Sequence, residues 1–195
     1  LCVDSGYFET FNRDNVQLIN LKEFPIHGIS SNSIEADKTY EIDTLILATG
    51  FDAMTGALTS IDIIGRGGAK LKDQWESGAK SYLGLGIANF PNLFTVTGPG
   101  SPSVLSNMMP SIEQHVNWIT DCIDWMETND KKVIESSKTA EDEWMVLVNE
   151  IADMTIFTDT KSWYNGSNID TKAKAFLPFI GAVSYTHLRA HETPA

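Results

Sequence analysis

Positive charge is scarce in this sequence. Fourteen Lys and Arg stand against 26 Asp and Glu, a formal net charge of −12. A surface built for nucleic acid or an anionic membrane clusters Lys and Arg, so neither partner is expected. Long apolar runs are missing as well. No stretch approaches the roughly 20 residues of a membrane-spanning helix, and no secretory h-region opens the chain. Cysteine is nearly absent: Cys2 and Cys122 make neither a CxxC pair nor a disulfide framework. That disfavours a disulfide oxidoreductase and points to a reducing cytoplasm. No GxSxG, P-loop or paired-carboxylate motif occurs, which leaves a hydrolase or kinase reading without support.

What is present is ordinary for a globular chain. Apolar residues make up 42% and charged residues 21% of 195 residues, enough for one good-sized domain or two small ones. The ends differ from the rest. Leu1 stands where a start methionine is expected, as if the chain were entered mid-domain. From Val183 onward "VSYTHLRAHETPA" loses the apolar texture of "AFLPFIGA". His187 and His191 have the i, i+4 spacing of paired metal ligands, but no glutamate follows His187 to complete HExxH. The segment resembles instead one reading frame of a transposase-type sequencing adapter. Residues 183–195 are therefore set aside as a non-native tail, and 1–182 are expected to be a natural stretch truncated at both ends.

Three extended segments lead: "NVQLINL" (15–21), "FPIHGIS" (24–30) and "YEIDTLILAT" (40–49), with 33–36 a candidate fourth strand. The run "TLILA" does not alternate, as in a strand covered on both faces of a parallel sheet. Glycine-rich sequence follows, with short strands expected near 60–64, 82–87 and 93–97 and one helical turn at 72–76. Two amphipathic helices come next. Ile112, Val116, Ile119, Ile123 and Met126 mark the first, which starts near Pro110. Trp144, Leu147, Val148 and Ile151 mark the second, with Thr139 and Asp142 as a capping-box-like start. The fold class is α/β.

Two places invite chemistry. "YEIDTLILATGFD" runs an apolar strand straight into Thr49-Gly50, the carboxyl end of a strand, where α/β folds bind ligands. Gly50 allows a positive φ or a close approach of ligand to backbone; a plain turn remains the alternative. "NLFTVTGPGSPSVLSNMMPSIE" (92–113) carries a strand through a Gly/Pro/Ser loop into a helix, whose amino end offers N–H donors and a positive dipole. "SWYNGSNI" (162–169) suits a loop that presents an aromatic, with core packing of Trp163 as the alternative. Other features read as structural: "GRGG" (65–68) as a turn with Arg66 a solvated charge, His115 as a surface or packing residue, Cys122, Trp118, Trp125 and Trp144 as core. Asn165-Gly166-Ser167 matches a glycosylation sequon without any sign of secretion.

Together, these segments resemble the carboxyl-terminal part of a Baeyer–Villiger monooxygenase of the cyclohexanone monooxygenase type. "DSGYFETFNRDNVQLINLKEFPI", "YEIDTLILATGFDAMTGALTSIDIIGRGG", "SYLGLGIANFPNLFTVTGPGSPS", "PSIEQHVNWITDCI", "EDEWMVLVNEIAD" and "SWYNGSNI" match in order over nearly all of 1–182. The resemblance implies a flavoprotein with two dinucleotide-binding domains that uses FAD and NADPH to insert one oxygen atom of O2 next to a ketone carbonyl. Residues 1–47 would end the NADPH-binding domain, and 48–182 would form the carboxyl-terminal part of the FAD-binding domain. Ala48, Thr49, Gly50, Phe51 and Asp52 match the family's second ATG motif, at the return to the FAD domain. Asn107 and Met108 fall at the helix start beside the flavin. Val104, Leu105 and Ser106 fall where the family lines its substrate pocket, and Trp163 matches a mobile-loop tryptophan that touches the nicotinamide cofactor. The family's catalytic arginine sits just before the position of Leu1, so no catalytic residue is expected here. Both GxGxxG motifs would lie in an upstream part of the same chain, which is the expected partner of this segment. The alternatives are a flavin-dependent N- or S-oxygenating monooxygenase, and a non-catalytic α/β binding module.

Overall fold

The computed structural model describes residues 5–101, 107–167 and 175. The chain divides into two compact units, Leu1–Thr49 and Gly50–Ala195.

In the first unit, Gly6 at φ 79 opens one helical turn, α1 (Tyr7–Thr10), which the Thr10 hydroxyl closes by donating to the Gly6 carbonyl at 2.7 Å. Three short strands follow, β1 (Gly28–Ile29), β2 (Ser33–Glu35) and β3 (Thr39–Glu41), in one antiparallel sheet of order β1–β2–β3. Turn chemistry sets their register. At the first turn Ser30 N–H donates to the Ser33 carbonyl at 2.9 Å, and the two hydroxyls lie 2.7 Å apart. At the second, Tyr40 Oη donates to Asp37 Oδ1 at 2.6 Å, and this bond, chiefly, pushes the phenol up to about 12.

The longer strands expected at 15–21, 24–30 and 40–49 are not formed. Residues 16–20 have no regular structure, and the chain then turns, Phe24 N–H donating to the Asn20 carbonyl at 2.8 Å. Strand geometry persists only where a neighbour supplies ladder bonds, and among the described residues no strand lies beside 43–49. Leu45, Ile46 and Leu47 are accordingly 40%, 82% and 71% exposed, where burial was expected.

The second unit is built on helices: α2 (Gly56–Thr59), α3 (Leu71–Gln74), α4 (Met108–Thr128) and α5 (Lys138–Asp153). Asn107 caps α4 by accepting from Met109 N–H, and Ser137 caps α5 by accepting from Ala140 N–H, both at 3.1 Å. The α5 cap lies two residues ahead of the Thr139 start read from the sequence. Pro110 falls in the first turn of α4, where N–H groups have no intrahelical partner.

The buried face of α4 is displaced by about one position from the expected stripe. His115 and Cys122 are wholly buried at its centre, while Val116 and Ile123 are 46% and 43% exposed. A histidine in the middle of the face hides it from an apolar count. Burial pushes the Cys122 thiol up, as fits a core cysteine.

Two apolar clusters form the interior. Trp144, Met145 and Val148 of α5 pack with Leu83, Leu85 and Tyr164 in the first, and Leu71, Trp75, Ile87 and Phe90 form the second. Among the described residues no strand forms at 60–64, 82–87 or 93–97; isolated bridges pair Ile64 with Lys70 and Tyr82 with Gly86. Leu83, Gly84 and Thr97 take φ of 58, 69 and 53, and left-handed residues cannot continue a pleat. The GRGG segment is a turn as predicted, but Arg66 is not free: its Nε lies 2.5 Å from Glu135 Oε2.

Candidate functional site

The candidate residues near position 50 straddle the division between the units. Ala48 and Thr49 end the first, exposed and without regular structure. In the second, Gly50 takes φ 83, the left-handed backbone that the sequence reading allowed for a glycine here. Phe51 is 85% exposed. Asp52 folds into its own chain, Oδ1 accepting from Thr55 Oγ1 at 2.7 Å and its carbonyl from Gly56 N–H at 3.1 Å. It acts as a local turn former ahead of α2.

The second candidate segment is anchored far more heavily. Along 97–100, each residue has its own tether. Thr97 N–H donates to His115 Nδ1 on α4 at 3.1 Å, and Gly98 N–H donates to the Gly84 carbonyl at 3.1 Å. The Ser81 hydroxyl donates to the Pro99 carbonyl, and Trp144 Nε1–H of α5 donates to the Gly100 carbonyl at 2.9 Å. Thr97 is β-branched yet sits at φ 53. Such a conformation costs roughly 1–3 kcal/mol and persists only where its surroundings impose it. Ser101 is wholly buried, and among the described residues its hydroxyl has no hydrogen-bond partner. Val104, Leu105 and Ser106 lie outside the described residues. Beyond them, Asn107 and Met108 begin α4, whose first turn holds no acidic residue.

Trp163 is partly buried against the first cluster, its ring 4.3 Å from that of Tyr164. Asn165 is 1% exposed, its amide donating to the Thr160 carbonyl at 2.8 Å and its Oδ1 accepting from Ser167 N–H at 3.2 Å. This closed position leaves no room for a glycan. His187 and His191 lie outside the described residues. Among the described residues no group of three His, Cys, Asp or Glu could hold a metal, and no helix is long and apolar enough to cross a membrane.

Sequence reasoning missed three anchoring roles. His115 and Trp144 were read as packing residues and are polar tethers of the 97–100 loop. Glu141 in the first turn of α5 is 1% exposed, with Oε1 accepting from Ala88 N–H at 3.0 Å and Oε2 without a partner among the described residues. Burial chiefly pushes its carboxyl up; the Ala88 N–H, Lys138 and Lys80 oppose that shift, while Asp142 adds to it. A charged residue in a helix's first turn is the usual pattern for an exposed face, so nothing local marked it as buried.

Solved structures supply the class. Cyclohexanone monooxygenase from Rhodococcus sp. Phi1, bound to NADP+, is 39% identical with a TM-score of 0.88, the match covering 96% of this chain and 35% of that one. OTEMO in complex with FAD and NADP is 33% identical with a TM-score of 0.84, covering 95% and 34%. The chain therefore has the mixed α/β fold of part of these monooxygenases, and its relatives include Baeyer–Villiger, cyclohexanone and cyclopentanone monooxygenases. In particular, cyclohexanone 1,2-monooxygenase of Acinetobacter sp. is 42% identical over 185 residues, 94% of this chain and 34% of the relative. Phenazine N-monooxygenase of Lysobacter antibioticus is 40% identical over 182 residues, 92% of this chain and 33% of the relative. The chain thus spans about a third of the length of the relatives it matches. No protein-family model matches it.

Proposed function

We propose that the complete protein carrying this chain is an FAD- and NADPH-dependent monooxygenase that inserts one oxygen atom of O2 beside the carbonyl of a small ketone, giving an ester or lactone. The observation that carries this reading is the 42% identity to cyclohexanone 1,2-monooxygenase across 94% of the chain. Residues 1–47 would close the NADPH-binding domain and 48–182 would belong to the FAD-binding domain.

The residues present fit a flavin. The amino end of α4 has spare N–H groups and no acid in its first turn to cancel the dipole, so it favours an electron-rich ring system. Gly50, at a positive φ, brings a backbone free of side chain. When bound, the flavin would activate O2 with electrons that NADPH supplies. Ala48, Thr49, Gly50, Phe51 and Asp52, with Asn107 and Met108, would hold the cofactors by backbone and cap geometry. Trp163 would meet the nicotinamide, and Val104, Leu105 and Ser106 would shape the ketone pocket.

The test is to purify the complete protein with FAD and follow NADPH consumption and product by gas chromatography with cyclohexanone. A lactone formed in step with NADPH is expected. The similarity to a phenazine N-monooxygenase favours a second reading, oxygen transfer to a ring nitrogen. N-oxide from a nitrogen heterocycle, with no ester from any ketone in a panel, would replace the first reading with the second.

A further inference from the structure

We propose that His115 is a positioning residue. From the centre of the buried face of α4 it holds Thr97 in its left-handed form, and so fixes the 97–100 turn against the helix on whose amino end the proposed flavin site depends. The inference rests on that site being where the preceding reading puts it.

Thr97 is the strained position of this turn. A β-branched residue at φ 53 relaxes unless something holds it, and the group that reaches its backbone is His115 Nδ1 at 3.1 Å. To accept there, the ring must carry its proton on Nε2. His115 lies on the helix that the loop itself leads into. The Thr97–His115 bond therefore ties the turn directly to α4, between residues 18 apart in sequence.

The remaining tethers agree. Pro99 and Gly100 are fixed through their carbonyls by Ser81 and by Trp144. Ser81 is itself held, its Oγ accepting from Gly84 N–H at 3.0 Å. A loop that only connected two elements would need none of these. Glycine at 98 and 100 makes the close packing possible: a Cβ at Gly98 would meet Thr95 Oγ1 at 2.5 Å, and one at Gly100 would meet Trp144 Nε1 at 3.1 Å. The chain has given up side chains, and accepted strain, to hold this backbone in one place.

The test compares His115→Leu with His115→Asn in the complete, FAD-loaded protein. Leucine removes the acceptor, whereas asparagine offers an oxygen near the place of Nδ1. Amide hydrogen exchange of the 94–101 peptide is one readout; product formed per NADPH, with the ketone KM, is the other. The leucine variant should retain FAD, exchange these amides at least tenfold faster, and lose at least threefold in product per NADPH as hydrogen peroxide is released instead. The asparagine variant should restore both. Wild-type exchange and coupling in His115→Leu would overturn the proposal, as would a coupling loss without faster exchange, or a folded asparagine variant that rescues neither. If His115→Leu does not fold, Trp144→Phe carries the test. It puts a smaller ring, without the donor to Gly100, in place of the indole, and unchanged exchange at 97–101 would sink the idea. If the complete protein forms N-oxide rather than ester, coupling is read on that product, and the exchange readout stands independently of the reaction.

Discussion

The two units of this chain use their apolar residues in opposite ways. In 5–49, Ser33 alone is buried, and Phe8, Leu18, Ile46 and Leu47 are each 70% or more exposed. In the second unit, Leu71, Leu83, Ile87, Cys122 and Val148 are almost wholly inaccessible. Hydrophobic content does not separate the two; the availability of something to pack against does. The first unit forms what turn chemistry alone can form, three two- or three-residue strands. The second contains two helices long enough to present whole faces, and its glycine-rich segments fold onto them. Apolar sequence specifies burial only together with its neighbours.

Substitutions can break or sharpen that contrast. The largest effect is expected at Gly84, at φ 69, where a Cβ would meet Ser101 Cβ at 2.3 Å and the Gly98 carbonyl at 3.0 Å. Gly84→Ala should cost about 3 kcal/mol, combining left-handed strain with overpacking, read as a lowered urea midpoint. A loss under 1 kcal/mol would mean that this turn is not the close-packed centre described above. A smaller effect, of opposite sign, is expected at Glu141. Its carboxyl is raised by burial, so the folded state holds the proton more tightly than the unfolded one. The associated stability is complete below the ordinary carboxylate range and is lost as pH rises through the raised value. Glu141→Gln keeps an acceptor for Ala88 N–H and removes the buried charge. It should stabilise the protein by about 1 kcal/mol at pH 8, the scale of an unsatisfied buried group, with the gain shrinking towards pH 4. An equal gain at both pH values would rule out the charge as its source. The smallest effect belongs to the first unit. Leu47→Ser in the 195-residue chain should move the thermal midpoint by less than the equivalent of about 0.5 kcal/mol, as at other exposed sites, while improving solubility. A large loss would show that residues 43–49 are packed after all.

Legibility in the sequence followed the same division. The helices were readable because their signals are local: Pro110 near the start of α4, and the period of Trp144, Leu147, Val148 and Ile151; the caps themselves, Asn107 and Ser137, were not. The GRGG turn and the short β2 strand were readable for the same reason. The strands at 82–87 and 93–97 were misread because alternating apolar residues were taken as pleat, while Leu83, Gly84 and Thr97 take positive φ, with Leu83 packed against α5 and Thr97 bonded to α4. The candidate site was legible only as a set of segments. That Thr97–Gly100 is the anchored part, and that His115 and Trp144 do part of the anchoring, depends on pairs 18 and 44 residues apart. No window of sequence contains both partners.

The same spacings bear on how the chain is made. Asn89 waits for Glu135, 46 residues later, and Ala88 waits for Glu141, 53 residues later. Arg66 waits for the same Glu135 across 69 residues. At a synthesis rate of roughly 5–20 residues per second, the turns from 65 to 101 spend several seconds outside the ribosome before the groups that pin them emerge. Residues 135–144 thus act as a late clasp, and the turns they close are an interval of exposure that a nascent-chain chaperone would be well placed to cover.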